Sequence, residues 1–108
     1  MPKMTGAKFI AETLHAYGVT HFFFMPVIIP DAMPDMQRLG IKRIMAHAEK
    51  PAAYMADGYA RVSKKVGICG AQSVGGMNLA AGIQDAYLAC SPVIALTGRL
   101  PQIEQNRH

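Results

Sequence analysis

The chain reads as an α/β domain, a mainly parallel sheet with helices on both faces in a three-layer αβα arrangement. Three observations predict it. Short apolar runs alternate with segments of helical period, the pattern left by βαβ crossovers. Stop and turn residues such as Gly18, Pro26, Gly40 and Gly98 fall between those segments. The 108 residues are 51% hydrophobic and 17% charged, enough for one core and far from disordered compositions.

The elements follow in order. Thr5 caps a helix ending at Tyr17, with Ile10, Leu14 and Tyr17 along one face and Gly18 as its stop. Residues 21–25 form an aromatic run ended by Pro26, a short buried strand. Residues 31–39 give a second helix with Met33, Met36 and Leu39 inward, closed by Gly40. A strand over 41–45 leads into a helix from Glu49 to about Val62. Pro51 lies in its first turn, where a missing N–H has no helical partner to lose. Residues 66–71 supply a third strand, 76–88 a helix and 93–97 a fourth strand. Gly98 turns the chain into a polar tail. Because 99–108 reads as the start of another element, the whole of 1–108 is expected to be the N-terminal part of an unfinished domain.

Composition narrows the function classes. The formal charge is +4, yet the basic residues are scattered. Their one cluster, Arg61, Lys64 and Lys65, falls at a helix end where cations complement the dipole. No nucleic-acid partner is expected. Cys69 and Cys90 sit in apolar stretches and are expected as two buried, reduced thiols. The histidines share no ligand spacing with them, so no metal site is expected within the chain. No apolar run could cross a bilayer and no signal-peptide core opens the chain, so no membrane partner and a cytoplasmic location are expected.

Ligands of an open parallel sheet gather beyond the carboxyl ends of its strands. Three segments converge there: Met25-Pro26-Val27, His47-Ala48-Glu49, and Gln72-Ser73-Val74-Gly75-Gly76-Met77-Asn78. Glu49 has two readings, a capping carboxylate favoured by the helix dipole or a functional acid. The glycine-containing segment also has two. It could cradle an anion, but it matches neither G-x-G-x-x-G nor the Walker pattern. A tight turn, with Gly75 and Gly76 permitting close backbone approach, is favoured.

Glu49 with Ala52-Ala53-Tyr54-Met55-Ala56-Asp57-Gly58-Tyr59-Ala60-Arg61 resembles the segment around the catalytic glutamate of thiamine-diphosphate enzymes, the acetolactate synthase, pyruvate oxidase and benzoylformate decarboxylase group. Gly75 to Ile83, Asp85-Ala86-Tyr87 and Ser91 to Gly98 resemble the next motif block, and Gly6 to Met25 is similar too. The resemblance implies an N-terminal pyrimidine-binding domain whose glutamate hydrogen-bonds N1′ of the cofactor's aminopyrimidine and favours its imino tautomer. It implies thiamine diphosphate as cofactor and Glu49 as the catalytic residue. Glu49, Pro26, Val27, Ser73, Gly75 and Asn78 are the matched positions expected near the pyrimidine.

The resemblance further implies Mg²⁺ held with the diphosphate by a domain absent from these residues, in the same parent chain or a separate subunit. It implies a homo-oligomer, a dimer or dimer of dimers, and chemistry on a 2-oxo acid or related carbonyl donor of the decarboxylation or carboligation type. Alone, the 108 residues are expected to be inactive. The alternative is a non-catalytic dimerising module, or a separate subunit that needs a diphosphate-binding partner. Three departures bear on the substrate pocket. Ala48 stands where many relatives carry histidine, Val27 stands where glycine is usual, and Ser73-Val74-Gly75 replaces Gly-Pro-Gly.

Overall fold

Residues 3–99 and 102 are described in the computed structural model of the chain. Helix α1 (Gly6–Ala16) opens where the Thr5 hydroxyl accepts the Lys8 N–H at 3.2 Å. It ends before Gly18, whose φ of +77° suits a residue without Cβ. Strand β1 (His21–Phe24) follows, then a 3₁₀ turn (Pro30–Ala32), helix α2 (Met33–Arg38) and strand β2 (Lys42–Met45). Helix α3 (Glu49–Ser63), strand β3 (Gly67–Gln72), helix α4 (Val74–Leu88) and strand β4 (Val93–Gly98) complete the order. The element expected from 99–108 lies, for nearly all its length, outside the described residues.

All four strands are parallel and pair in the order β2-β1-β3-β4. Alternation along the strands divides the core into two layers. Phe22 and Ile68 pack on one face with Ala11, Met36 and Ile28, under α1 and α2. Phe23, Cys69 and Ala71 pack on the other with Ala52, Ala53, Ala56 and Leu79, under α3 and α4. Burial pushes the Cys69 thiol up to about 11.

Small residues set the spacing of that second layer. A Cβ on Gly67 would run into the Ala56 carbonyl, and one on Gly82 would lie 2.7 Å from Ala53 Cβ and 2.8 Å from the Lys50 oxygen. Helix α3 therefore rests directly on β3 and α4 rests directly on α3.

Four sequence expectations need correction. The 31–39 helix is split, because Pro34 lacks the N–H that would bond the Pro30 carbonyl; the Met33 N–H takes that carbonyl instead, in a 3₁₀ turn. Tyr17 is 85% exposed although Ile10 and Leu14 do pack on the core, since it falls on the cap where the chain leaves the helix. Helix α4 begins at Val74, which puts Gly75 and Gly76 inside its first turn. Cys90 is exposed, not buried, because it sits at φ +52° on the exit from α4.

Candidate functional site at the sheet's carboxyl edge

The chain leaves β1 in one direction and β3 in the other. From β1 it moves outward to β2 through α2. Helix α3 then carries it back across β1 to β3, and α4 continues outward to β4. The carboxyl ends of β1 and β3 thus flank the topological switch point, where a crevice opens between diverging connections.

The loop after β1 is one wall. The Met25 N–H continues the ladder to the Gly70 oxygen at 3.0 Å, and the chain then breaks away at Pro26. Pro26 and Val27 are exposed, whereas Ile28 is 2% exposed and folds back over the sheet. A Cβ on Gly70 would lie 3.3 Å from Ile28 Cγ1, and one on Gly98 3.4 Å from its Cδ1. Ile28 thus anchors this loop to β3 and β4. Sequence reasoning did not single it out; the only signal is an apolar pair, Ile28-Ile29, inside a proline-bounded loop.

The second wall is the start of α3. Ala48 is extended (φ −159°, ψ 167°) and makes no side-chain cap bond, so Glu49 is the first helical residue. Its half-buried side chain does not fold back on its own helix. It crosses to the first turn of α4, so closely that a Cβ on Gly75 would lie 2.8 Å from Glu49 Oε1. The Asn78 amide donates to Glu49 Oε2 at 3.4 Å. The carboxylate is therefore near two helix N-termini, each a partial positive charge.

The third wall is the turn from β3 into α4. Ser73 adopts φ 52°, ψ −123° and makes no side-chain cap bond. Its N–H donates to the Gly98 oxygen at 2.8 Å and its carbonyl accepts the Gly76 N–H at 2.9 Å. The tight turn expected at Gly75 and Gly76 is thus made by Ser73, while Gly75 supplies the close approach. Of the residues singled out from sequence, Glu49, Gly75 and Asn78 are brought into contact. Ser73 adjoins them, and Pro26 and Val27 occupy the loop between the β2 and β3 ends. Among the described residues no group of three or more His, Cys, Asp or Glu side chains could hold a metal ion.

A cavity of about 290 Å³, lined by Arg61, Lys64, Cys90 and Ser91 among others, lies at the far ends of α3 and α4. Beside it, nearly buried Asp57 accepts two hydrogen bonds from Arg61 at 2.9 and 2.8 Å. The Arg61 guanidinium first, and Ser91 second, hold the Asp57 carboxyl below the usual aspartate range. This end of the helix pair joins elements and is remote from the strand carboxyl ends.

The architecture and the carboxylate at its switch point define a ligand-binding domain of the open parallel α/β class. Residues 4–108 match the family described as the thiamine pyrophosphate enzyme, N-terminal TPP binding domain. The chain is 40% identical over 106 residues to an acetolactate synthase of Arthrospira platensis, covering 93% of this chain and 18% of that protein. It is 39% identical over 102 residues to the acetolactate synthase isozyme 2 large subunit of Escherichia coli (strain K12), covering 90% and 18%. A sulfoacetaldehyde acetyltransferase of Alcaligenes xylosoxydans xylosoxydans is 42% identical over 97 residues, covering 88% and 16%. The chain belongs to the thiamine pyrophosphate enzyme family, as its N-terminal TPP-binding domain. It spans less than a fifth of the length of these relatives.

Proposed function

We propose that this chain is the pyrimidine-binding portion of a thiamine-diphosphate enzyme of the acetolactate synthase type, and that Glu49 is the group that activates the cofactor. The observation that carries the reading is the position of the Glu49 carboxylate. It is half-buried at the switch point, oriented by Asn78, and faces a helix turn where Gly75 leaves room for it. A carboxylate so placed suits a ring nitrogen that must gain and lose a proton.

When bound, thiamine diphosphate supplies a carbon nucleophile that adds to a carbonyl donor such as a 2-oxo acid. The chain's own part is to bind and orient the pyrimidine and to steady the proton at N1′ through Glu49. Asn78 fixes one carboxylate oxygen, leaving the other for the ring. Pro26, Val27 and Ser73 bound the same crevice. The diphosphate and its Mg²⁺ belong, in this reading, to a further domain of the same protein or to a partner subunit.

Self-association belongs to the same proposal. Helix α4 exposes Val74, Met77, Tyr87 and Leu88 beside Ala80 and Ala81, so it is apolar around most of its circumference. A helix of that kind is normally covered. A two-fold pairing of this chain through α3 and α4 would cover it.

The decisive experiment is Glu49→Gln in the complete enzyme, read by C2–H/D exchange of the bound cofactor. Glutamine keeps size and hydrogen bonding but cannot share charge with a protonated ring. Exchange should fall by roughly 10²-fold or more, in the range of lost acid–base catalysis, with the fold retained. A purely capping role would instead cost about 1 kcal/mol of stability or less and leave exchange at the wild-type rate. Wild-type exchange would refute the assignment. It would leave the alternative of a non-catalytic dimerising module.

A further inference from the structure

The cavity at the far ends of α3 and α4 has no part in the proposed function. It measures about 290 Å³, and its wall includes Arg61, Lys64, Cys90 and Ser91. Arg61 stands twelve residues after Glu49 on α3, about 18 Å along the helix at 1.5 Å per residue. A small molecule held there is out of reach of the Glu49 crevice.

Helix ends expose carbonyls, which repel anions. Here several of them are already occupied. At the exit of α4, the Ala89, Ser91 and Cys90 N–H groups donate to the Asp85, Ala86 and Tyr87 oxygens at 3.0, 2.9 and 3.2 Å. At the exit of α3, the Lys64 N–H donates to the Ala60 oxygen at 3.1 Å. Side-chain donors remain. Asp57 takes Nε and Nη2 of Arg61 and leaves the Nη1 hydrogens. Among the described residues the Lys64 ammonium has no ion-pair partner.

Two residues of the wall also hold positive φ, Lys64 at +60° and Cys90 at +52°. A left-handed residue is an ordinary way out of a helix, but glycine is the usual one. A lysine that only complemented the dipole could stand anywhere in the last turn. Two strained side chains on the wall of one cavity are the pattern of residues that touch a ligand.

We propose that this cavity binds a small organic monocarboxylate, with its charge on Lys64 and the free edge of Arg61 and its apolar body along Ala89 and Pro92. Asp57 cancels one of the two positive charges and leaves one for the ligand. Asp85 also acts on Arg61, after Asp57, from an exposed position that water screens. A doubly charged phosphate would leave one charge unpaired, and its compact polar body would gain nothing from the alanine and proline wall. The site stands independently of the role proposed for Glu49.

The test uses the complete protein, with butyrate as the probe and the exposed Cys90 thiol as the reporter. Alkylation of Cys90 by iodoacetamide is followed by peptide mass spectrometry, with buried Cys69 as the unreactive reference. Butyrate should slow Cys90 alkylation by about tenfold at ten times its half-saturating concentration, as occupancy of a single site requires. Lys64→Gln should raise that half-saturating concentration at least about tenfold, the scale of a lost charged hydrogen bond. Lys65→Gln, outside the cavity wall, and Glu49→Gln should leave it unchanged. The inference is overturned by no slowing with butyrate, by equal slowing with chloride at matched ionic strength, or by undiminished protection in Lys64→Gln. Inorganic phosphate protecting at lower concentration than butyrate overturns the carboxylate class. A Cys90 that does not react in the complete protein without butyrate also overturns the inference, since the cavity is then already covered. None of these results bears on Glu49, whose own test is C2–H/D exchange of the cofactor.

Discussion

Replacing Gly75 by alanine separates fold from function at this site. The new Cβ would lie 2.8 Å from Glu49 Oε1, 3.2 Å from its Cγ and 3.3 Å from its Cδ. Ordinary contact begins near 3.4 Å, so restoring it moves the carboxylate back by about 0.6 Å, the difference between 3.4 and 2.8 Å. The obstacle is the end of a flexible side chain, so the fold yields easily. Alanine also gains helix propensity over glycine, less than the about 1 kcal/mol of an interior position because Gly75 stands in the first turn, against a weakened contact to Asn78. Net stability should therefore change by no more than about 1 kcal/mol, a Tm shift of at most about 4–8 °C. Function should not be spared. A misplacement of about 1 Å can cost on the order of 10²-fold, so C2–H/D exchange in the complete enzyme should slow about tenfold or more. If the effect runs through Glu49, Gly75→Ala should add almost nothing in a Glu49→Gln background. Exchange within about twofold of wild type, or full additivity of the two changes, would refute the reasoning.

Four further outcomes follow from other parts of the fold. Gly58 is exposed in α3 with nothing within 4 Å of a new Cβ, so Gly58→Ala should stabilise the chain by about 0.5–1 kcal/mol in urea unfolding. Gly82→Ala meets Ala53 and the Lys50 carbonyl and should destabilise it by about 1–2 kcal/mol, overpacking outweighing propensity. Asp57 has a lowered folded pKa, so its pairing stabilises above the unfolded aspartate value of about 3.9 and is lost as pH falls through the lower folded value. Unfolding measured from pH 6 down to 2 should show a shallower acid decline in Asp57→Asn, from a lower starting stability. Sedimentation should show the chain self-associating as concentration rises, and Met77→Glu on exposed α4 should shift it toward monomer. A strict monomer at high concentration would contradict the pairing proposed above.

How much of this was legible in the sequence depended on range. Alternating apolar runs and stop residues are local signals, and they place the helices and strands of the described residues to within a few positions. Tyr17 was misassigned inward because helical period continues formally through the last turn, while the real chain is already leaving the helix. The broken second helix was legible in principle, since Pro30 and Pro34 stand four apart, the spacing of the bond that Pro34 cannot make. Glu49 could be marked as important from its helix start and the residues after it. Its contact with Gly75 could not, because it joins residues 26 positions apart through the packing of two helices. The turn residue was missed for a related reason. Glycines draw the eye as turn formers, yet the positive φ falls on Ser73 and the neighbouring glycine serves the approach of another chain segment.

The position of Glu49 follows from how closely α3 and α4 pack. Gly82 is seven residues after Gly75, about two helical turns, and therefore lies on much the same face of α4. There it meets Lys50 and Ala53, while Gly75 meets Glu49. The first turn of α3 thus crosses α4 over two glycines. One lets the backbones touch and the other receives the carboxylate. Widening the crossing at Gly82 would lift Lys50, and with it Glu49, away from the α4 terminus. Small residues at this crossing are usually assigned to packing alone; here the same spacing sets where the acid stands in the crevice. At the opposite end, Asp57 pairs with Arg61 within α3, and Ser91, beyond the exit of α4, is the second influence that lowers the Asp57 carboxyl. The glycines of α4 that meet α3, Gly75 and Gly82, lie where the carboxylate must reach across.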